Sequence, residues 1–294
     1  MEEWHSVAQH ISQATDQPFV VQTVRAVRGS GVNDATILTA KDRSYFIKHN
    51  EPDRLDMFRA EGWGLQEIAR VPTVQVARPL CWGATDQFSY LVLDYLELHP
   101  RSKAQDIELG HMLATLHGRH SSDFGWDHDN TIGTTPQVNT PHADWATFWR
   151  DRRLLFQLDL AARNGYQGRI QDLGHRLAEL IPQLLAGHSP TPSLLHGDLW
   201  AGNCAACGDH PILFDPAVYY GDREADLAMT ELFGGFSPTF HAAYREAAPL
   251  GVGYSVRKTL YNLYHVLNHL NLMGGSYLGQ AERMTMSLLA ELGT

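Results

Sequence analysis

Asp198 stands five residues before Asn203 and two after His196, in His196-Gly197-Asp198-Leu199-Trp200-Ala201-Gly202-Asn203. A carboxylate and an amide this close on one loop can divide two tasks. The carboxylate can accept a proton from an attacking hydroxyl, and the amide oxygen can hold a metal ion on a nucleotide's phosphates. His, Gly, Asp and Asn are also common in turns, so a plain polar loop is the alternative reading. Twelve residues after Asn203, the apolar run Ile212-Leu213-Phe214 ends at Asp215. Phosphoryl transfer needs a second metal-holding carboxylate facing the first across the phosphates, and Asp215 suits it better than a strand-end turn does. Pro216 follows, which fixes φ and removes a donor, so a mobile loop switched by phosphorylation is not expected after it.

The spacing His-x-Asp-Leu-x-x-x-Asn is that of a kinase catalytic loop. The remaining parts of a kinase have candidates upstream. Lys48 closes the strand-like Tyr45-Phe46-Ile47-Lys48 and could hold the α- and β-phosphates. Glu61, thirteen residues on in a helical pattern, is its natural partner, and Glu67 nearer the helix end is the other candidate. Read without the downstream motifs, Lys48 is better explained as a solvated strand end. Gly29, Ser30 and Gly31 form a turn whose backbone N–H groups could approach phosphates, though an ordinary hairpin turn reads the same way. Asp94-Tyr95-Leu96, where a strand gives way to an acidic, irregular stretch, suits a hinge whose backbone pairs with an adenine edge.

These side chains need elements to position them. Apolar spacing predicts a helix over 4–14, strands over 19–27, 35–40 and 44–48 with a turn at Lys41-Asp42-Arg43, and a helix over 55–68. A strand follows over 87–93, after a turn around Gly83 and Asp86. Beyond Leu96 long helical patterns dominate: 104–117, 145–162, 170–185, 254–272 and 280–292. The expected fold is therefore α+β and two-lobed, protein-kinase-like in its division. A strand-rich N-terminal lobe spans 1–93, a hinge 94–98, and a larger helical lobe with the catalytic loop and acceptor site 99–294. Asp226 can open a helix as its N-cap.

Composition narrows the partners. The chain has 294 residues, 44% hydrophobic, with 33 acidic against 23 basic side chains and a net charge of -10. That is globular composition, with no basic stripe to suggest nucleic acid as a partner. The acidic balance favours a cationic substrate. No apolar run approaches the ~18 residues of a membrane span. Met1-Glu2-Glu3-Trp4 lacks the blocks of a signal peptide, and three cysteines are too few for a disulfide scaffold. A cytoplasmic, reduced protein is expected. Cys204 and Cys207 form a Cys-x-x-Cys pair, but zinc would need two more ligands, and Cys81 and His210 are poor candidates. His117 and His120 read as packing or capping groups at a helix end.

The combined blocks resemble the fructosamine kinase (ketosamine 3-kinase) family, small-molecule kinases shaped like aminoglycoside and choline kinases. Its mark is the tryptophan in His196-Gly-Asp-Leu-Trp-Ala-Gly-Asn203, followed by Asp215-Pro-Ala-Val-Tyr-Tyr-Gly-Asp-Arg-Glu-Ala-Asp-Leu-Ala-Met229. Leu232-Phe-Gly-Gly-Phe236, Tyr261–Asn271, Phe124-Gly-Trp126, Asn130-Thr-Ile-Gly133 and Gln137 also fit, so the match runs from about residue 19 to 278. The resemblance implies ATP and Mg²⁺, and phosphorylation of the O3 hydroxyl of a ketosamine, free or on a glycated protein side chain. The phosphorylated adduct then falls away and frees the amine, which is a repair function.

On this reading Asp198 is the base, Asn203 and Asp215 hold Mg²⁺, and His196 and Asp226 brace the loop. Trp200 stacks on the acceptor's sugar or merely wedges the loop. Asp222 and Glu224 offer an acidic surface to the acceptor's amine. Tyr261, His265 and Asn268 share one helix face that lines the acceptor pocket or belongs to the core. The rivals are a kinase for another amino-bearing acceptor, such as an aminoglycoside, and a catalytically silent kinase-like binding module. The Trp200 block speaks against the first; the presence of Lys48, Asp198, Asn203 and Asp215 speaks against the second.

Overall fold

The computed structural model describes residues 2–27 and 32–293, so Gly29, Ser30 and Gly31 lie outside the described residues. Helix α1 (His5–Thr15) buries Val7, Ala8 and Ile11 against Phe19, Tyr45 and Tyr90 on one face of a sheet. Strand β1 (Thr23–Val27) starts four residues later than its apolar pattern suggests. Phe19 is occupied otherwise: its N–H donates to Ser12 Oγ at 2.9 Å and its ring packs into the α1 cluster. Strands β2 (Asp34–Thr39) and β3 (Ser44–Asn50) form the expected hairpin around Lys41–Arg43.

Helix α2 (Leu55–Ala69) crosses to the other face, where Phe58 and Leu65 meet Leu91 and Leu93. Strands β4 (Pro79–Ala84) and β5 (Ser89–Asp94) complete a five-stranded antiparallel sheet of order β1-β2-β3-β5-β4. Of the turn expected around Gly83 and Asp86, Gly83 lies inside β4, while Asp86 falls in the reversal at Thr85–Phe88. Pro79 and Gly83 disguise this strand, and pairing with β5 overrides their weak propensity.

After Asp94 the helical part begins with a two-residue strand, β6 (Leu98–His99), and helix α3 (Lys103–His117). Ser102 and Gln105 start α3 with a reciprocal capping box. A small hairpin follows, β7 (Asn130–Ile132) and β8 (Thr135–Gln137). The expected helix over 145–162 is α4 (Trp145–Trp149), a π-helical turn at Arg150–Leu154, and α5 (Leu155–Arg163). Next come α6 (Arg169–Leu184) and β9 (Ser193–Leu195), then, beyond the catalytic loop, β10 (Cys204–Cys207), β11 (His210–Leu213) and β12 (Tyr219–Gly221). Helices α7 (Glu224–Leu232), α8 (Pro238–Ala247), α9 (Tyr254–Met273) and α10 (Leu278–Glu291) close the chain.

β12 pairs with β9, and β10 with both β11 and β6, so the loop between β9 and β10 is held at both ends by short antiparallel ladders. The sheet side connects directly to this region. Leu213 N–H donates to Gln75 O at 3.0 Å, a bridge from the segment before β4 to the strand that leads into Asp215. Helix α8 was not expected, although Ser237 caps it and Pro238 occupies its first turn.

α3 and α8 pack backbone to backbone at Gly110. A Cβ there would lie 2.6 Å from Phe240 O and 2.9 Å from Tyr244 N. Intrinsic propensity says alanine should stabilise a mid-helix glycine position by ~0.5–1 kcal/mol. Overpacking against a backbone costs ~1–3 kcal/mol and should win. Gly110→Ala is therefore expected to lower the urea midpoint, whereas a rise would show that the two helices can part freely.

Candidate functional site

The loop geometry starts from one buried carboxylate. Asp226, 2% exposed on α7, accepts the N–H of His196 at 2.7 Å and of Gly197 at 2.9 Å. His117 Nε2 faces the same carboxylate at 3.1 Å. Burial alone would raise the Asp226 pKa, but these hydrogen bonds and the neighbouring histidines hold it below the usual value. Asp226 is the third residue of α7 rather than its N-cap; the helix start is met by Asp222, whose Oδ1 accepts from Glu224 N–H at 3.0 Å. Gly197 has φ +82°, and a Cβ on it would meet Ala217 O at 2.0 Å, so only glycine lets the loop lie against the 215–218 segment.

His196 is fully buried, and its Nε2–H donates to Phe214 O at 3.0 Å while Nδ1 accepts from Asp198 N–H at 3.3 Å. Burial lowers its pKa, which keeps the ring neutral and fits this tautomer. It ties the catalytic loop to the strand end that carries Asp215. Asp215 itself has φ +56°, a left-handed conformation that costs about 1–2 kcal/mol for a non-glycine residue.

Lys48 and Glu61 come together as their spacing suggests. Lys48 Nζ donates to Glu61 Oε1 at 2.7 Å and to Asp215 Oδ1 at 2.6 Å. Burial pulls the Lys48 pKa down, but the two carboxylates more than offset it and keep the ammonium charged. Burial pushes Glu61 up against the pull of Lys48. Glu67 serves elsewhere: it accepts from Arg70, Arg119 and the Tyr220 hydroxyl, fastening α2 to the helical part.

Two adjoining cavities meet at Lys48, Asn203 and Asp215. One, of 420 Å³, is lined by Ile37, Phe46, Leu93 and Phe214, with Asp94, Tyr95 and Leu96 along its edge. The other, of 160 Å³, is lined by Glu61, Asp198, Trp200 and, from the β7–β8 hairpin, Asn130, Thr131 and Gly133. The flat apolar walls of the first suit a nucleobase; the polar second suits reacting groups. Asn203 Nδ2 donates to Asp198 O at 2.9 Å and Oδ2 at 3.2 Å, which leaves its Oδ1 without a partner among the described residues. Burial, aided by the charge of Asp215, pushes the Asp198 carboxyl up to about 7 despite the Asn203 contact. The Trp200 indole lies over Gly202 at the cavity wall.

Several expected acceptor contacts are corrected. Asp222 and Glu224 are no acidic surface: each is 2% exposed. Asp222 accepts from the Tyr261 hydroxyl and faces His188, both at 2.5 Å, and Glu224 forms a two-pronged pair with Arg257. Asn268 is 3% exposed and bonds Gln157 and Ile132 O. His265 is also buried, which drives its pKa down to about 3, and it lies outside both cavities. The Tyr261 face of α9 is core, not pocket. Cys204 and Cys207 project from opposite faces of β10, and Cys204 is buried against Arg101. His188, Asp222 and Glu224 lie within 4.8 Å of one another, but their existing partners already satisfy them. The hairpin residues Asn130, Thr131 and Gly133 were part of a sequence block with no role attached; only the folded chain brings them to the site.

A strand-rich part, a helical part and a lysine–carboxylate–amide cleft between them define a protein-kinase-like phosphotransferase. The chain belongs to the fructosamine kinase family, whose pattern it matches over residues 3–291. A protein named a probable ketoamine kinase, from Synechocystis sp., is 45% identical over 97% of each chain. The crystal structure of a candidate fructosamine-3-kinase from Haemophilus somnus superposes with a TM-score of 0.90 at 28% identity, covering 97% of each. An aminoglycoside phosphotransferase solved with ADP bound shares the fold, with a TM-score of 0.61 at 14% identity over 95% of this chain and 97% of that one. Among the described residues no helix is long and apolar enough to cross a membrane.

The raised Asp198 pKa has a stability consequence. Asp198 binds its proton more tightly folded than unfolded, so its contribution is fully present below the unfolded pKa of 3.8 and is lost as pH rises through about 7. Asp198→Asn removes that loss. At pH 8 without metal the variant should be more stable than the wild type by on the order of 1–2 kcal/mol, with the gap closing towards pH 4. Thermal melts across this range check it; equal stability at every pH would show that Asp198 ionises freely.

Proposed function

We propose that the chain is an ATP-dependent ketosamine 3-kinase that acts in the cytoplasm on ribulosamine or fructosamine adducts, free or on protein lysines. The observation that carries this reading is the convergence of Lys48, Asp198, Asn203 and Asp215 in one cleft of a fructosamine kinase family chain. The apolar cavity takes the adenine, with the backbone of 94–96 along its edge; the ADP in the related phosphotransferase structure supports ATP as the donor. Lys48, oriented by Glu61, holds phosphate oxygens.

The donor set fits Mg²⁺. Asn203 Oδ1 and the second carboxylate oxygen of Asp215 have no partner among the described residues, and Mg²⁺ favours oxygen ligands while keeping several waters. When bound there, the ion would neutralise charge on the transferring phosphoryl group. Asp198 orients the O3 hydroxyl and takes its proton as the O3–phosphorus bond forms and the bond to the ADP oxygen breaks. A pKa of about 7 leaves Asp198 basic enough to accept that proton near neutral pH.

An ATP-consumption screen over a ribulosamine, a fructosamine and an aminoglycoside tests the reading. Turnover on the ketosamines is expected, and Asp198→Asn should lower kcat by roughly 10²–10⁴-fold, the range for a general base. Turnover on the aminoglycoside alone would replace the acceptor, and none on any of the three would favour a silent binding module.

Trp200 is assigned to the acceptor's sugar, because it shares the small cavity with Asp198 and offers an indole face to C–H groups. Trp200→Ala should weaken kcat/KM for a ribulosamine by roughly 1–3 kcal/mol, as for an aromatic stacking contact, mostly through KM. Steady-state kinetics beside a nucleotide titration separate the outcomes: equal damage to nucleotide binding would mean a collapsed loop.

A further inference from the structure

The Asn130–Gln137 hairpin does more than line the cavity. Gln137 Nε2 donates to Ala217 O at 3.1 Å and to Asn130 Oδ1 at 2.8 Å. Asn130 Nδ2 donates to Val218 O at 2.8 Å. The two side chains thus grip two successive carbonyls just after Asp215-Pro216. The catalytic loop grips the same segment from the other side, where Ala217 N–H donates to His196 O at 2.8 Å.

The hairpin is itself anchored from below. Tyr264 on α9 donates its hydroxyl to Gln137 Oε1 at 2.7 Å. Asn139 Nδ2 donates to Asn130 Oδ1 at 3.0 Å, and Arg153 Nη2 donates to Asn139 Oδ1 at 2.8 Å. Arg153 comes from the π-helical turn and is fully buried against the rings of Tyr219 and Phe148, at 4.2 and 4.7 Å from their centroids. Its hydrogen bonds go to Val138 O, Arg152 O and Asn139, and among the described residues none goes to a carboxylate. A buried guanidinium without a counter-ion is costly. Its donors run in one direction, from Arg153 through Asn139 to Asn130 and on to Val218 O, and a charged first donor strengthens such a chain.

We propose that this relay, Arg153 and Tyr264 acting through Asn130 and Gln137, is a positioning device that fixes the Asp215–Val218 segment and so aims the Asp215 carboxylate. The left-handed φ of Asp215 makes such fixing necessary, since a free segment would relax out of it. None of the four residues need touch the phosphates; they act through the backbone that Asp215 belongs to. The proposal rests on the nucleotide and Mg²⁺ reading above, and its test keeps the two apart.

The probe is ADP, titrated calorimetrically into the full chain with and without Mg²⁺, for the wild type, Gln137→Met and Tyr264→Phe. Thermal melts register folding, and kcat is measured alongside. Metal-free ADP affinity should stay within about twofold, while the tightening by Mg²⁺ falls about 10-fold in Gln137→Met, as for residues that orient metal ligands. The tightening and kcat should fall together, in the same direction in Tyr264→Phe. A folded Gln137→Met with wild-type Mg²⁺ tightening overturns the proposal and reduces the hairpin to packing. If Gln137→Met does not fold, Tyr264→Phe decides, because it deletes one hydroxyl; unchanged tightening there overturns the proposal too. Wild-type ADP binding that ignores Mg²⁺ would instead refute the metal reading itself, and this proposal with it.

Discussion

Everything in the cleft refers to one buried ammonium. Lys48 is 8% exposed and donates to carboxylates from α2 and from the segment just after β11. It therefore joins the sheet, the helix that crosses it and the helical part at one point. Removing either carboxylate would leave a buried charge short of a partner, which costs far more than the net worth of the pair. The charges do not balance, however. Glu61 and Asp215 outnumber Lys48 by one, before Asp198 ionises. A polyanionic nucleotide entering such a site needs a further cation, and this imbalance favours the Mg²⁺ proposed for Asn203 and Asp215.

The cleft also depends on carboxylates that never reach it. Asp226 holds two successive loop N–H groups, which a backbone in a sharp turn could not otherwise satisfy. Asp222 and Glu224, four and two residues before it, are equally buried and equally engaged. Three acidic residues in five positions thus lie in the interior, each with hydrogen-bond donors arranged around it. Like-charge crowding of this kind is tolerable only with His117, His188, Arg257 and Tyr261 in place.

That crowding explains what was legible in the sequence and what was not. The convergence of Lys48, Glu61, Asp198, Asn203 and Asp215 was readable because a kinase motif dictates both residue type and order along the chain. The two-part organisation was readable because hydrophobic period changes from two to 3.6 near residue 96. Asp222, Glu224, His265 and Asn268 were misplaced because a polar residue on a helix looks the same whether it faces a substrate or a buried network. Only the third dimension supplies Arg257, Tyr261 and Gln157 as their partners. Strand β4 was hidden by Pro79 and Gly83, whereas α8 carried a Ser237-Pro238 start that went unread. Arg153 gave no signal at all, since a basic residue in a helical pattern is normally solvent-exposed.

Withdrawing Asp222 and Glu224 from the acceptor's surroundings changes how a cationic ketosamine must be met. The small cavity contains carboxylates only where the chemistry needs them, at Glu61, Asp198 and Asp215. Apart from Lys48, its other walls among the described residues are uncharged, Trp200 and the hairpin residues Asn130, Thr131 and Gly133 among them. A positively charged amine would therefore be drawn by the field of the cleft as a whole rather than by a dedicated ion pair. Such attraction weakens with distance and with salt. It can bring an amine-bearing acceptor to the mouth, but it cannot measure the length or branching of what the amine is attached to. Under the proposed function, discrimination would belong to the sugar end, where Trp200 and Asp198 share one cavity, and the carrier would be left free to vary.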